Sequence, residues 1–455
     1  MKRRLAFLIL CFVFKSVFAE FSSLGIPDSS DIRKQLVETW FEASLDEIRD
    51  NIAEIRSNEA GQKFRISIEE SNSTYAIVVA AGKIAEVNVY SNDGVSRVPE
   101  YVYPGTLPGT WVLLKDKKTE KPISIRYYFT GDSDVYVQFT QYGKIALADL
   151  IIFGYYAAKG VSTGVPFSTF YTASLDDVIK LTKKTIPWKY VLVDNTRYHG
   201  VLVMLSEISR MIPKIVLLEN AMYDENGDLI NVITGKPYDL IGGQDDRLYL
   251  SNAGCVKWVA DGLVYPVAHT LLKRGPLVQS TVSVNEIGYQ GLLSQEKSLY
   301  FSLDWVRNIA SAVISVNTGR KYLYTDSGVD VDINPFSSSV TKTGTANTIN
   351  YIKNTGYDAK LVKSLLYVLA ATEPDSVYLG AIREVSREVQ PEVKVFNKSA
   401  VFFPYFNKDN AFDCKVFFNG QIMSLDDFLL IYGDSFIYFT RMRASEKFNL
   451  FEKIE

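Results

Sequence analysis

Histidine and cysteine are scarce in this chain, which has two histidines and three cysteines among 455 residues. Zinc sites are built mainly from these two residue types, so the sequence predicts no metal site of that kind. The cysteines also provide no disulfide framework, and a chain of this length does not need one to bury a core. One disulfide, between Cys255 and Cys414, remains open at this stage.

The chain also lacks an excess of basic residues and a long apolar run. Its formal net charge is −3, and no cluster of lysine and arginine provides the basic face that nucleic acid or an anionic membrane requires. The most apolar interior segment, 145–158, is shorter than the ~20 residues of a membrane-spanning helix and contains Asp149. No glycine-rich phosphate loop has the required spacing. We therefore predict no nucleic-acid partner, no transmembrane segment in the mature chain and no cofactor.

The N-terminus has the features of an export signal. Basic residues at positions 2–4 precede an apolar run at 5–14, and a small-residue cleavage motif follows at 17–19. Removal of 1–19, which contains four basic residues and no acidic ones, lowers the formal net charge to about −7. No small residue directly precedes Cys11, which disfavours a lipoprotein. The sequence predicts a bacterial protein exported to the periplasm or the exterior.

The mature part divides into two regions by its pattern of apolar residues. Apolar residues from Ile32 to Ile55 recur at three- to five-residue steps, which predicts an opening helix. Alternating and apolar segments over 62–173 predict strands. We predict the α+β class, with a helix and β-rich domain over 20–185 and an α+β domain over 186–455.

Several elements of the second region are predicted individually. Asn226-Gly227 lies between apolar runs and predicts a tight hairpin. Helices are predicted from Ser251 and over 358–371. Further strands are predicted at 376–385, 392–396, 399–405, 414–418 and 435–441.

Residues 251–256 (Ser-Asn-Ala-Gly-Cys-Val) resemble the Asp-Cys-Ser-Gly-Phe-Val segment that begins the nucleophile helix of NlpC-type, papain-like peptidoglycan endopeptidases. In those enzymes the helix N-terminus and a histidine lower the pKa of the thiol, so the thiolate can attack an amide. In register, Asn252 occupies the nucleophile position and Cys255 an apolar position three residues later. The resemblance extends over about 195–445.

The family's catalytic histidine begins a strand of the form His-Val-Gly-Ile-Tyr. The most similar segment here places Tyr378 at the histidine position, and no histidine follows His269. The resemblance therefore implies a non-catalytic, papain-like domain in which Ser251, Asn252 and Tyr378 bind a ligand. That ligand would be a peptidoglycan fragment or an envelope protein. Under a simpler interpretation, Asn252 is only an amide helix cap.

Two enzymatic alternatives remain open. Cys255 itself could be a nucleophile with His199 or His269 as its base, although its apolar neighbours indicate a buried and inert thiol. Alternatively, Ser294, Lys297 and Lys342 follow the order of the Ser-x-x-Lys and Lys-Thr-Gly motifs of penicillin-binding proteins. Their spacing is much shorter than in that family.

Two further interpretations, a cation site and an interaction protein, also remain open. Asp326, Asp330 and Asp332 could surround a hard cation, or could simply form a solvated loop. The whole protein could also be an interaction protein of the envelope with no small ligand.

Overall fold

The structure is a computed structural model that describes residues 25–91, 94–238, 247–282, 299–342, 344–386 and 393–452. The predicted export signal at 1–19 lies outside the described residues, as do Ser294 and Lys297. The chain divides into two units, one made of 1–127 with 165–181 and the other of 128–164 with 182–455. The second unit resumes at Thr182, four residues before the predicted start of the second domain at 186, but it also takes 128–164 from the predicted first domain.

The first unit combines short helices with an antiparallel sheet. Its helices are α1 (Ser30–Leu36), α2 (Leu45–Arg49), α3 (Thr169–Thr172) and α4 (Leu175–Thr182). Its strands are β1 (Glu54–Ser57), β2 (Lys63–Glu70), β3 (Thr74–Ala81), β4 (Lys83–Ser91), β5 (Gly94–Val102), β6 (Trp111–Asp116) and β7 (Pro122–Tyr127). They pair in the order β1-β2-β3-β6-β7, whereas β4 and β5 form a separate hairpin.

The predicted opening helix is shorter than its apolar pattern suggested. A π-helical turn at Val37–Phe41 follows α1, and α2 ends at Arg49. Ile52 is 89% exposed, and Ile55 belongs to β1, where the backbone pairs with β2. Pairing with a neighbouring strand therefore replaces the last helical turns.

The second unit contains the longer helices. They are α5 (His199–Met211), α6 (Asn252–Ala268), α7 (Arg274–Leu277), α8 (Phe301–Thr318), α9 (Tyr324–Ser327), α10 (Ala359–Thr372) and α11 (Leu425–Tyr432). Its strands are β8 (Val135–Tyr142), β9 (Ile145–Ile152), β10 (Tyr155–Ser162), β11 (Ile215–Leu217), β12 (Ala221–Tyr223), β13 (Leu229–Asn231), β14 (Leu248–Leu250), β15 (Ser338–Thr341), β16 (Gly344–Asn347), β17 (Tyr357–Asp358), β18 (Ser376–Ser386), β19 (Val393–Phe406), β20 (Phe412–Phe418), β21 (Gln421–Ser424) and β22 (Phe436–Arg443).

An antiparallel six-stranded sheet in the order β17-β22-β18-β19-β20-β21 organises this unit. Successive side chains of a strand point to opposite faces. On one face, Trp258 of α6 contacts Phe417 of β20. On the other face, Phe428 of α11 packs edge-to-face on Phe402 of β19. Helices therefore cover both faces of the sheet, and most residues of the central strands β18 and β19 are buried.

The predicted α+β class is confirmed, and so are several individual elements. The Asn226-Gly227 turn joins β12 and β13, with Gly227 at φ +83°. The helix predicted from Ser251 is α6, and the helix predicted over 358–371 is α10. The two strands predicted at 392–396 and 399–405 form the single long strand β19.

Candidate functional site

Helix α6 begins at the segment that resembles a nucleophile helix, and its first turn is fixed by local contacts. The hydroxyl of Ser251 accepts from the backbone N–H of Gly254 (3.1 Å) and donates to the carbonyl of Ala221 (2.9 Å). Ser251, and not Asn252, is thus the N-cap. A Cβ atom at Gly254 would lie 2.2 Å from the same carbonyl oxygen. The glycine of the motif therefore permits the close approach of α6 to β12.

The Asn252 side chain is bound on all four of its hydrogen-bonding positions. Its Nδ2 donates to the carbonyl oxygen of Ser399 (2.8 Å) and to Oδ1 of Asn419 (2.9 Å). Its Oδ1 accepts from the backbone N–H of Ser399 (2.7 Å) and from the Ser399 hydroxyl (3.2 Å). An amide has two donor hydrogens and two acceptor lone pairs, so this one is fully used inside the protein.

These partners explain why an amide suits this position. Pairing between β19 and β20 begins at Val401 opposite Phe417, so Ser399 lies beyond the paired segment. The Asn252 amide bonds both the N–H and the carbonyl of Ser399, as a pairing strand residue would. Asn419 and Gly420 form the two-residue turn between β20 and β21, both at positive φ, as expected for an Asn-Gly hairpin.

The predicted pairing of Asn252 with Tyr378 is wrong. Ser399, the partner of Asn252, lies opposite Ala381 on β18, and Tyr378 is three positions away along that strand. Three positions correspond to roughly 10 Å and reverse the side-chain direction. Tyr378 therefore points to the face of the sheet away from α6, where its hydroxyl donates to Glu373 (3.0 Å). Burial, followed by the Glu373 carboxylate, raises the pKa of Tyr378 well above its usual range.

A Cys255–His269 dyad is also incompatible with the structure. Cys255 is 1% exposed, and burial raises the pKa of its thiol to about 12. His269 caps the opposite end of α6 in a left-handed conformation. Fourteen residues of helix correspond to about 21 Å, far beyond the reach of a general base. Cys255 and Cys414 are both free, so no disulfide joins them.

The remaining predicted site residues do not form a centre among the described residues. Lys342 is exposed in the turn between β15 and β16, and its predicted partners Ser294 and Lys297 lie outside the described residues. In the described part of the chain, no group of three histidine, cysteine or acidic residues could hold a metal ion. The three aspartates at 326, 330 and 332 therefore do not make a cation site.

A polar cleft around Arg307 was not predicted. The guanidinium group of Arg307, a residue of α8 that is 2% exposed, lies between the rings of Tyr324 and Tyr438, 4.5 and 4.4 Å from their centroids. It donates to the hydroxyl of Tyr438 (2.7 Å), to Oδ1 of Asn354 (2.8 Å) and to the hydroxyl of Thr281 (3.2 Å). Cation–π contacts and charge-assisted hydrogen bonds together hold this buried cation.

Asp330 supplies the opposing charge in the cleft. Its Oδ2 accepts from the hydroxyl of Tyr324, and its Oδ1 is 3.9 Å from Nε of Arg307. Neither that Oδ1 nor that Nε has a hydrogen-bond partner in the described protein. The cleft encloses about 450 Å³ and is also lined by Asp332 and Lys353. It thus presents charges of both signs beside aromatic rings.

Sequence reasoning missed this cleft because its parts come from distant segments. Arg307 is on α8, Asp330 follows α9, Asn354 precedes β17 and Tyr438 is on β22. Asp330 was singled out, but only as a member of an acidic cluster. Nothing local to the 301–318 helix distinguishes Arg307 from a solvated basic residue.

Comparison with known proteins adds one match. The model of a family described as a domain of unknown function (DUF8515) matches residues 22–190. This segment coincides closely with the β-rich region predicted at 20–185 and carries no functional description. No curated protein and no solved structure matches the chain. In the described part of the chain, no helix has the length and apolar character needed to cross a membrane.

Proposed function

We propose that the protein is an exported, non-catalytic binding protein of the bacterial envelope. Its second unit would be a papain-like domain that binds a cell-wall fragment, or a protein partner, without cleaving it. The observation that carries the binding proposal is the cleft of about 450 Å³ around Arg307, where Asp330, Asp332 and Lys353 place charges of both signs beside aromatic rings. Under this proposal, Asn252 would occupy the former nucleophile position, and its amide joins a helix to a strand by structural hydrogen bonds.

The surroundings of Asn252 support the absence of chemistry. The nearest thiol in sequence, that of Cys255, is buried and has a pKa of about 12, so it is not a nucleophile at neutral pH. Asn252 faces a serine and an asparagine, and neither serves as a general base with a pKa near neutrality. The side chains at this end of α6 therefore supply neither a nucleophile nor a general base.

The cleft around Arg307 is a better binding site than the start of α6. The Asn252 amide has no free hydrogen-bonding position, whereas the cleft is lined by the exposed side chains of Asp332 and Lys353. Cationic and anionic side chains line the same cleft. A ligand with both amine and carboxylate groups, as in the peptide part of a cell-wall fragment, would meet a complementary charge at each end.

Co-sedimentation with insoluble peptidoglycan tests the proposal. We expect the purified protein to sediment with peptidoglycan while releasing no peptides or sugars. Asp330→Asn should weaken co-sedimentation, because it removes one of the two carboxylates that line the cleft. The matched control is Asp426→Asn, an exposed aspartate on α11 that is ion-paired with Lys363 in the described structure, and it should bind like the wild type.

Two results would overturn this function. The first is release of peptidoglycan fragments that is lost in Cys255→Ala, since it would show catalysis by the buried thiol. The second is the absence of co-sedimentation together with the absence of any soluble muropeptide binding by calorimetry.

A further inference from the structure

A second cavity, largely apolar, lies beside the polar cleft. It encloses about 810 Å³ between the end of α6, α7, the outer side of α8 and the segment 321–325. Its apolar lining includes Val264, Leu271, Leu272, Leu277, Val316 and Leu323. Leu323 is 64% exposed. This volume lies within the range typical of small-molecule sites.

Most of the polar side chains in this groove are already hydrogen-bonded within the protein. Ser311 and Ser315 each donate back to a carbonyl one helical turn earlier (2.7 and 2.6 Å). Asn308 donates to the carbonyls of Leu277 and Gln279 (3.0 and 2.7 Å). These groups offer few free hydrogen-bonding positions to an occupant. An extended peptide would bury its own polar backbone there without partners, at a cost of about 1–3 kcal/mol per group.

Among the described residues, the charged side chains that line the groove are all positive. Lys273 and Lys321 are exposed and line the groove, and no acidic residue of the described part of the chain does so. Neither lysine forms an ion pair with another described residue. An occupant with a negative group at one end would therefore meet two lysine side chains, and a positive group would be repelled.

We propose that this groove binds a single-chain amphiphile, namely a long apolar chain that ends in a carboxylate or a similar anion. The chain would contact the leucine and valine side chains, and the anionic end would lie near Lys273 and Lys321. A helix of a partner protein fits less well. A helix ~10 Å across fills roughly 850 Å³ in only two turns, which already exhausts the groove.

This inference is independent of the proposed binding of cell-wall fragments, although the two sites share Thr281, Tyr324 and Thr325. Peptidoglycan binding is tested by Asp330→Asn in the polar cleft. The groove is tested by residues outside that cleft. Either proposal can therefore fail while the other stands.

The test uses three probes with the same chain and different ends: dodecanoate, dodecanol and dodecyltrimethylammonium. Calorimetry with the full chain, below the micelle concentrations, should give saturable one-to-one binding of dodecanoate. Dodecanol should bind more weakly, because it lacks the charge, and the cation should bind most weakly. Equal binding of the three probes, or tightest binding of the cation, would overturn the proposal.

Two variants locate the binding. Lys273→Glu/Lys321→Glu should weaken dodecanoate binding about tenfold, because two attractions become repulsions, and should leave dodecanol binding unchanged. The control Lys236→Glu/Lys408→Glu makes the same charge change at exposed positions outside the groove.

Ala312→Trp, at a half-buried position on the groove floor, should abolish binding of all three probes. The charge variants keep the test valid if this bulky substitution impairs folding. Undiminished dodecanoate binding in both groove variants would place the ligand elsewhere. Binding of an acidic amphipathic peptide without binding of dodecanoate would identify a protein partner and would refute the amphiphile.

Discussion

Asn252 and Ser399 exchange hydrogen bonds in both directions, although 147 positions separate them in sequence. The amide oxygen accepts from the Ser399 backbone N–H, and the amide nitrogen donates to the Ser399 carbonyl. Ser399 is 1% exposed, so its backbone groups have no access to water as a substitute. The Asn252 side chain therefore forms hydrogen bonds with both buried backbone groups of Ser399 and joins α6 to the central sheet.

Asn252→Ala should lower the free energy of unfolding by about 2–3 kcal/mol, because it leaves buried donor and acceptor groups of Ser399 unpaired. Urea denaturation monitored by tryptophan fluorescence measures the change. Asn317→Ala, an exposed position in the last turn of α8, is the control and should stay within about 0.5 kcal/mol of the wild type. Equal effects of the two substitutions would mean that the Asn252 amide is dispensable.

Gly254→Ala should be strongly destabilising for a different reason. The added Cβ atom would lie 2.2 Å from the carbonyl oxygen of Ala221, so α6 must move away from β12. Overpacking of this kind costs about 1–3 kcal/mol. Gly275→Ala is the matched control, because its Cβ atom would meet nothing within 4 Å. Thermal unfolding should show a lower melting temperature for Gly254→Ala and an unchanged melting temperature for Gly275→Ala. A wild-type melting temperature for Gly254→Ala would refute the tight contact.

The start of α6 was predictable because its signals are local. A capping serine, a small residue three positions later and an apolar run suffice to indicate a helix start. The partner of Asn252 was not predictable in the same way. A strand pattern around Tyr378 is visible in the sequence, but the register that brings Ser399 opposite Ala381 is set by sheet pairing. A shift of three positions both displaces a side chain and reverses its face.

The end of the N-terminal helix could also not be predicted from apolar periodicity alone. Apolar residues at helical spacing continue to Ile55, so periodicity alone extends the helix too far. Ser44 and Glu47 form a capping box that begins α2, and this local signal could have located the break. The pairing of β1 with β2 is a tertiary effect, and it overrides the helical pattern. The Arg307 cleft depends entirely on such long-range assembly.

Cys255 and Cys414 should be unreactive in the folded protein. Burial raises the pKa of Cys255 to about 12 and that of Cys414 well above its usual range. A thiol-reactive chromogenic disulfide at pH 8 should therefore label neither cysteine in the native protein and both in urea. Rapid native labelling that disappears in Cys255→Ala would contradict the buried position of this thiol.

The same shift of Cys255 predicts how stability depends on alkaline pH. The folded pKa is raised from 9.0 to about 12, so folding disfavours the thiolate. The contribution of the neutral thiol to the free energy of unfolding is fully present below pH 9, and it is lost as the pH rises from 9 towards 12. Cys255→Ala should remove this part of the alkaline loss. The measurement is the slope of the unfolding free energy against pH between pH 9 and 12, for the wild type and for Cys255→Ala. Identical slopes in the two proteins would show that Cys255 does not cause the alkaline loss.

Asp132 should destabilise the folded protein at neutral pH. Its carboxylate accepts from the backbone N–H of Phe412 (2.9 Å), but burial raises its pKa from 3.8 to about 6. The folded state thus favours the protonated acid, and stability falls as the pH rises from about 4 through 6. Asp132→Asn keeps an acceptor for Phe412 and removes the charge. It should raise the unfolding free energy at pH 8 by on the order of 1–3 kcal/mol and match the wild type at pH 4.

Asp134→Asn, at a nearby exposed position, serves as the control and should show no such pH-dependent gain. If Asp132→Asn were less stable than the wild type at pH 8, the charged carboxylate of Asp132 would instead be favourable.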